Sequence, residues 1–269
     1  MVRRPLGNHH HGPDTLLVTS DTTQTAHVSA STEHLRRRVA GARVVLWDFD
    51  GPICRLFAGH PAAHVARAMV DWLAQNGLRG LLREEEIDPS DPHVLLRAVG
   101  SRSPESDLIA ELEELLTKEE LRATASAMPT AYADPLIRTW AAVGARLAVV
   151  TNNSPLAVRR YLDNRDLTGS FAPHIYGRTH QLHLLKPDPH SLNRALRAMG
   201  SRPEDALMIG DTPTDYDAAV RAGVRFVGYA RYPQKEKCLR QAGAETVVTS
   251  LEPLLELVRQ ESSAGRLPG

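Results

Sequence analysis

Apolar residues along this chain follow two alternating patterns. Short, nearly continuous apolar runs at Val44–Asp48, Leu147–Val150, Ala206–Ile209, Arg225–Gly228 and Thr246–Val248 predict strands. Segments with apolar positions three and four apart predict helices over Pro135–Val143, Pro155–Asp163, His190–Met199, Thr214–Ala222, Gln234–Ala242 and Pro253–Gln260. The repeated order of strand then helix, with strands apolar throughout, predicts an α/β fold. Its expected core is a doubly wound parallel sheet buried on both faces.

Between the first two of these strands lies a stretch of about a hundred residues, far longer than a crossover needs. It reads as helical over Pro61–Gln75, Asp91–Ala98, Pro104–Leu116 and Lys118–Ala127, punctuated by Gly77, Gly80, Pro89, Pro92 and Pro104. A helical block inserted there sits over the carboxyl ends of the strands, where open α/β sheets bind ligands, so it is a candidate lid. The resulting domain expectation is a core over 32–55 and 130–260 with a helical cap over 56–129. Residues 1–31 are rich in His, Thr, Ser and Pro without periodicity and read as a disordered tail. Within it His9, His10 and His11 lack a second ligand set and read as solvated polar residues. Ser31 and Thr32 then precede a short basic helix expected over Glu33–Ala40.

Composition narrows the class. The chain has 269 residues, 42% hydrophobic and 24% charged, as in ordinary globular proteins. Its formal net charge is zero, which gives no basis for nucleic-acid or anionic-membrane partners. Two cysteines, Cys54 and Cys238, are too few for a disulfide framework and suit a reducing cytoplasm. No apolar run has transmembrane length, and no apolar core follows Arg3 and Arg4, so neither a membrane span nor a signal peptide is expected.

Four apolar runs or their sequels end in polar chemistry. Asp48 and Asp50 close Val44-Val45-Leu46-Trp47-Asp48-Phe49-Asp50-Gly51; Thr151, Asn152 and Asn153 close Leu147–Val150; Lys186 begins Lys186-Pro187-Asp188; Asp211 and Asp215 follow Ala206–Gly210. One carboxylate of the first pair can attack phosphorus while the other gives a proton to the leaving oxygen. Gly51 permits the following turn. Thr151 and the next backbone N–H groups can hold a phosphate oxygen at a helix start, where Ser154 also serves as N-cap before Pro155. Lys186 offsets the repulsion among the acids, and Asp211 and Asp215 with Asp48 form a hard oxygen set suited to Mg²⁺. Asp217 reads as part of the solvated face of the following helix.

In this order, these motifs resemble those of the haloacid dehalogenase superfamily of phosphohydrolases, from Val44 to about Leu257. The resemblance implies a Rossmann-like core and these roles: Asp48 as nucleophile, forming an aspartyl-phosphate, and as Mg²⁺ ligand; Asp50 as general acid then base, with its backbone carbonyl on the metal. Thr151 would bind the phosphoryl group with Asn152 as a neighbouring donor, and Lys186 would neutralise nucleophile and phosphate. Asp211 would ligate Mg²⁺, and Asp215 would support it directly or through water. The insert matches the helical cap of phosphoglycolate phosphatase-like members in place and size. Asp50 favours phosphate monoester hydrolysis, because members that cleave carbon–halogen or carbon–phosphorus bonds lack this acid. Pro52 stands where Thr or Val is more usual, and Cys54-Arg55-Leu56-Phe57 replaces the acidic-serine continuation of phosphoglycolate phosphatases.

The expected activity is therefore that of a cytoplasmic Mg²⁺-dependent phosphatase, monomer or dimer, acting on a small phosphorylated metabolite. A phosphomutase of the same fold, or a binding module that has lost catalysis, are the alternatives; the first releases little net phosphate, and the second would lack the catalytic side chains. Arg55 and His60 could meet an acidic or hydroxylated leaving group, with surface or hinge roles as the plainer alternative. Arg102 and His93 are weaker substrate candidates. Cys54, beside carboxylates that disfavour its thiolate, reads as a packing residue.

Overall fold

The computed structural model describes residues 33–83, 91–103 and 106–264. The tail expected over residues 1–31, including His9, His10 and His11, lies outside the described residues, as does Pro104. Its strands are β1 (Val44–Trp47), β2 (Cys54–Arg55), β3 (Met128–Pro129), β4 (Arg146–Val150), β5 (Ile175–Tyr176), β6 (Ala206–Gly210), β7 (Arg225–Tyr229) and β8 (Val247–Val248). Its helices are α1 (residues 33–39), α2 (Ala62–Gln75), α3 (Pro92–Arg102), α4 (Asp107–Ala123), α5 (Ala133–Ala142), α6 (Pro155–Asn164), α7 (Thr168–Phe171), α8 (His190–Ala198), α9 (Pro213–Ala222), α10 (Pro233–Ala242) and α11 (Glu252–Ser263).

Six strands pair in the order β5-β4-β1-β6-β7-β8, every pair parallel. From β1 the chain builds outward through β4 to β5, then returns across the sheet to β6. Neighbouring strand ends around β1 are thus left by connections running in opposite directions, which opens a crevice at their carboxyl ends. Alternate residues feed the two faces. Val45, Trp47, Leu147, Val149, Leu207 and Ile209 pack with Trp140 of α5, Tyr161 of α6 and Leu254 of α11. On the opposite face Val44, Leu46, Ala148, Val150 and Met208 pack with Leu192 of α8 and Ala218 of α9. Both faces are covered by helices, which is why these strands are apolar throughout rather than alternating. No helix among the described residues is long and apolar enough to cross a membrane.

The block from α2 to α4 has its own core of Val65, Met69, Leu73, Leu95, Leu96, Val99, Ile109, Leu112 and Leu116, joined by Leu182 and Leu185 from the loop before Lys186. The block is thereby packed onto the segment that delivers that lysine. Two expectations need correction here. The helices expected over Pro104–Leu116 and Lys118–Ala127 are one helix, α4, which ends at Ala123. Thr117 is only a weak helix former and no breaker, so the turn continues through it. The helix expected to stop at Ala98 continues through Gly100 to Arg102. A side chain at Gly100 would meet Leu182 Cδ1 at 2.6 Å, so this glycine serves close packing rather than termination. The short elements β2, β3, β5 and α7 escape periodicity because they are only two or four residues long.

Candidate active site

Register brings the polar motifs together. Trp47 pairs with Val149 on one side and Ile209 on the other, so β1, β4 and β6 end level. Asp48 follows Trp47 directly, Thr151 and Asp211 stand two residues past their paired positions, and all three are buried. Lys186 reaches the same place from the loop before α8. Its Nζ donates to Asp48 Oδ1 at 2.7 Å, to the Val150 carbonyl at 3.1 Å and to Asp215 Oδ1. Burial works against the ammonium, but Asp215 and Asp48 outweigh it and raise its pKa. Burial likewise raises the pKa of Asp48, with Lys186 opposing.

Asp50 lies beyond the strand, in a turn closed by Gly51 N–H donating to the Cys54 carbonyl at 2.6 Å and Cys54 N–H to the Phe49 carbonyl at 3.1 Å. Pro52 sits inside this turn, which makes its hydrogen bonds through residues on either side. Asp50 Oδ1 accepts from the Leu56 N–H at 2.8 Å. Burial pushes its pKa up to about 6, against that hydrogen bond and with help from the Asp48 charge. Gly51 has φ +126, and a Cβ there would lie 2.3 Å from the Asp211 carboxylate. The position therefore demands glycine for its conformation and for space.

Asp48, Asp211 and Asp215 each offer an oxygen within 4.8 Å of the others. Among the described residues Asp211 Oδ1 is buried without a hydrogen-bond partner, while its Oδ2 accepts from Lys235. An orphaned carboxylate oxygen in a hard-donor cluster fits a divalent metal ion. Asp215 is differently engaged. It forms a capping box with Thr212 at the start of α9, its Oδ2 accepting from the N–H groups of Asp211 at 3.1 Å and Thr212 at 3.0 Å and from the Thr212 hydroxyl at 2.8 Å. That leaves Lys186 on Oδ1.

Thr151 donates its hydroxyl to Asn153 Oδ1 at 3.0 Å. Asn152 spends both ends of its amide on the Lys186 backbone: Oδ1 accepts from the N–H at 2.9 Å and Nδ2 donates to the carbonyl at 3.2 Å. Among the described residues its backbone N–H has no hydrogen-bond partner. Of the substrate candidates, Arg55 lines a cleft of about 500 Å³ together with Asp50, Asp211, Arg231, Tyr232 and Lys235. His60 instead pairs with Glu119 of α4 at 2.7 Å. Arg102 donates to the Leu81 carbonyl at 2.9 Å within the helical block, and Cys54 is buried with its thiol pKa pushed up by burial and by Asp50.

Three residues beside the site escaped the sequence reading. Lys235 was signalled by its place in the first turn of α10, where a cation opposes the helix dipole unless an acid faces it. Glu120 continues the apolar stripe of Leu112 and Leu116 at four-residue spacing, and an acid on such a stripe needs a partner. That partner is Arg178, just past β5, with His93 beside both. Burial works against a charged His93, but Asp91 and Glu120 outweigh it and lift its pKa to about 9. A raised histidine contributes stability that is complete below about pH 6.5 and is lost as pH rises through about 9. His93→Gln should therefore remove a difference on the order of 1–3 kcal/mol between pH 6 and pH 9.5. Urea unfolding at both pH values checks it; parallel losses in the two proteins would show that His93 folds uncharged.

The family model described as haloacid dehalogenase-like hydrolase matches residues 42–223. The phosphoglycolate phosphatase of Rhodospirillum rubrum is 29% identical over 216 residues, covering 71% of this chain and 82% of the relative. Phosphoglycolate phosphatase 1 of Pseudomonas aeruginosa is 28% identical over 232 residues, covering 81% of this chain and 80% of the relative. Among solved structures, a hydrolase of the same family from Deinococcus radiodurans, with bound phosphate and sodium, matches with a TM-score of 0.55 at 24% identity. That match covers 86% of this chain and 100% of the other.

Proposed function

Since the chain belongs to the haloacid dehalogenase-like hydrolase family and its named relatives are phosphatases, we propose that it hydrolyses a small phosphorylated metabolite with Mg²⁺, through an aspartyl-phosphate on Asp48. The observation that carries this reading is the convergence of Asp48, Thr151, Lys186, Asp211 and Asp215 at one level edge of the sheet. Asp48 attacks phosphorus, and the bond to the leaving oxygen breaks as that oxygen takes the Asp50 proton. Asp50 then takes a proton from water, whose oxygen attacks the aspartyl-phosphate, releasing phosphate and regenerating Asp48. A pKa of about 6 keeps Asp50 available in both protonation states near neutrality. Lys186 holds the nucleophile and a phosphoryl oxygen as a fixed cation, and Thr151 with the Asn152 N–H holds another. Asp48, the Asp50 carbonyl, Asp211 and Asp215, directly or through water, would hold Mg²⁺, whose charge offsets that of the phosphoryl oxygens.

Arg55, Arg231 and Lys235 around the cleft favour an acidic leaving group. Phosphoglycolate, named for the relatives, accordingly heads the panel of phosphate esters to be assayed, with p-nitrophenyl phosphate as the reference whose leaving group carries no carboxylate. Phosphate release should require Mg²⁺, stop on chelation and return when Mg²⁺ is restored in excess. No release from any ester with Mg²⁺ present, or full release in chelator, overturns the reading.

A further inference from the structure

The loop carrying Thr151 is held from outside the sheet. Glu120, in the last turn of α4, is fully buried. Its Oε2 accepts from the Ser154 N–H at 2.9 Å and its Oε1 from Asn153 Nδ2 at 3.0 Å. Arg178 meets the same carboxylate as a fork, Nη1 to Oε1 at 2.9 Å and Nη2 to Oε2 at 3.0 Å. The guanidinium also reaches the Asn152 carbonyl at 3.0 Å and the Thr117 hydroxyl at 2.9 Å. Each of residues 152 to 154 is thus tied to one buried ion pair, half of it supplied by the helical block.

The arrangement has a polarity that reaches the reaction centre. A carboxylate facing Asn153 demands the amide NH₂ on that side, so the amide oxygen is turned toward Thr151. There Oδ1 accepts the Thr151 hydroxyl at 3.0 Å, and the Asn153 N–H donates to Thr151 Oγ1 at 3.2 Å. A flipped amide would set oxygen against carboxylate and NH₂ against hydroxyl. Glu120 therefore fixes the Asn153 amide that holds the Thr151 side chain in place, from which the hydroxyl turns its hydrogen to a phosphoryl oxygen when one is bound. From the same α3–α4 block, Arg97 donates to the Lys186 carbonyl at 3.0 Å, a second tie to a residue of the site. Buried ion pairs are commonly no more stabilising than apolar replacements, so stability alone is a weak reason for this one.

We infer that Glu120 is a positioning residue of the phosphate-binding loop, held in place by Arg178, so that the helical block forms part of the phosphate site itself. The inference rests on the reading of Thr151 as a phosphoryl-holding residue. In Glu120→Gln, an amide NH₂ must face either Ser154 N–H or Asn153 NH₂, donor against donor, and the loop shifts. KM for p-nitrophenyl phosphate and the inhibition constant of inorganic phosphate should both rise roughly 10- to 100-fold. Asn153→Ala, which removes the side chain bridging Glu120 and Thr151, should raise both in the same direction.

A double variant, Glu120→Leu with Arg178→Met, separates positioning from structure and remains informative if Glu120→Gln does not fold. Melting temperature should recover part of the way toward wild type because the Glu120–Arg178 pair is removed whole rather than broken, while KM and the phosphate inhibition constant stay high. Recovery of all three, or unchanged phosphate inhibition in the folded single variants, overturns the inference while leaving the phosphatase reading intact. A wild-type protein with neither turnover nor phosphate binding overturns both.

Discussion

Asp48→Asn should reduce phosphate release by more than about 10⁴-fold, the scale of losing a covalent nucleophile. The substitution is nearly isosteric, and the amide oxygen can still accept from Lys186 Nζ, which donates to Asp48 Oδ1 at 2.7 Å. Lys186 also keeps its partner Asp215. The variant should therefore fold, which makes the lost activity a statement about chemistry. Phosphate release measured with Mg²⁺ beside a melting curve checks both halves. Residual activity above about 1% of wild type would mean that Asp48 does not form the covalent bond.

Lys186→Met should have the largest effect on stability. It removes the cation shared by two buried carboxylates, and breaking a buried pair of this kind costs about 3–5 kcal/mol. In a protein of this size the loss appears as a fall in melting temperature of about 10 °C. A divalent ion among Asp48, Asp211 and Asp215 would replace part of the missing charge, so the fall should be larger in chelator than in excess Mg²⁺. Activity should fall at least about 100-fold in either state of stability, because the fixed cation on the phosphoryl group is gone. Equal falls with and without Mg²⁺ would separate the cluster from the metal.

The parts legible in the sequence share one property: they are marked by local pattern. Asp48, Thr151 and Asp211 each follow a strand that is apolar because it is buried on both faces, so strand end and chemistry are read together. Asp215 is visible for a related reason, as the acid three residues after Thr212 in a capping box. Lys235, Glu120 and Arg178 are less visible because their meaning depends on pairs far apart in the chain. Glu120 meets Arg178 across 58 residues, and Lys235 meets Asp211 across 24. A charged residue on a helix ordinarily faces water, and only an apolar stripe interrupted by an acid hints otherwise. Thr117, between the two helical stretches that form α4, is a further case: its buried partner Arg178 lies 61 residues along the chain.

The single bond from the Leu56 N–H to Asp50 Oδ1 joins the proton-transferring acid to the stretch of chain that leads into α2. That N–H stabilises the ionised carboxylate, in opposition to burial. The affinity of Asp50 for its proton is consequently not a property of the sheet edge alone. Any displacement of the entering chain that lengthens this bond raises that affinity, and any that shortens it lowers the affinity. Exchange of residues 56 to 61 for those of a relative would thus retune acid and base strength at position 50 even with every catalytic side chain retained.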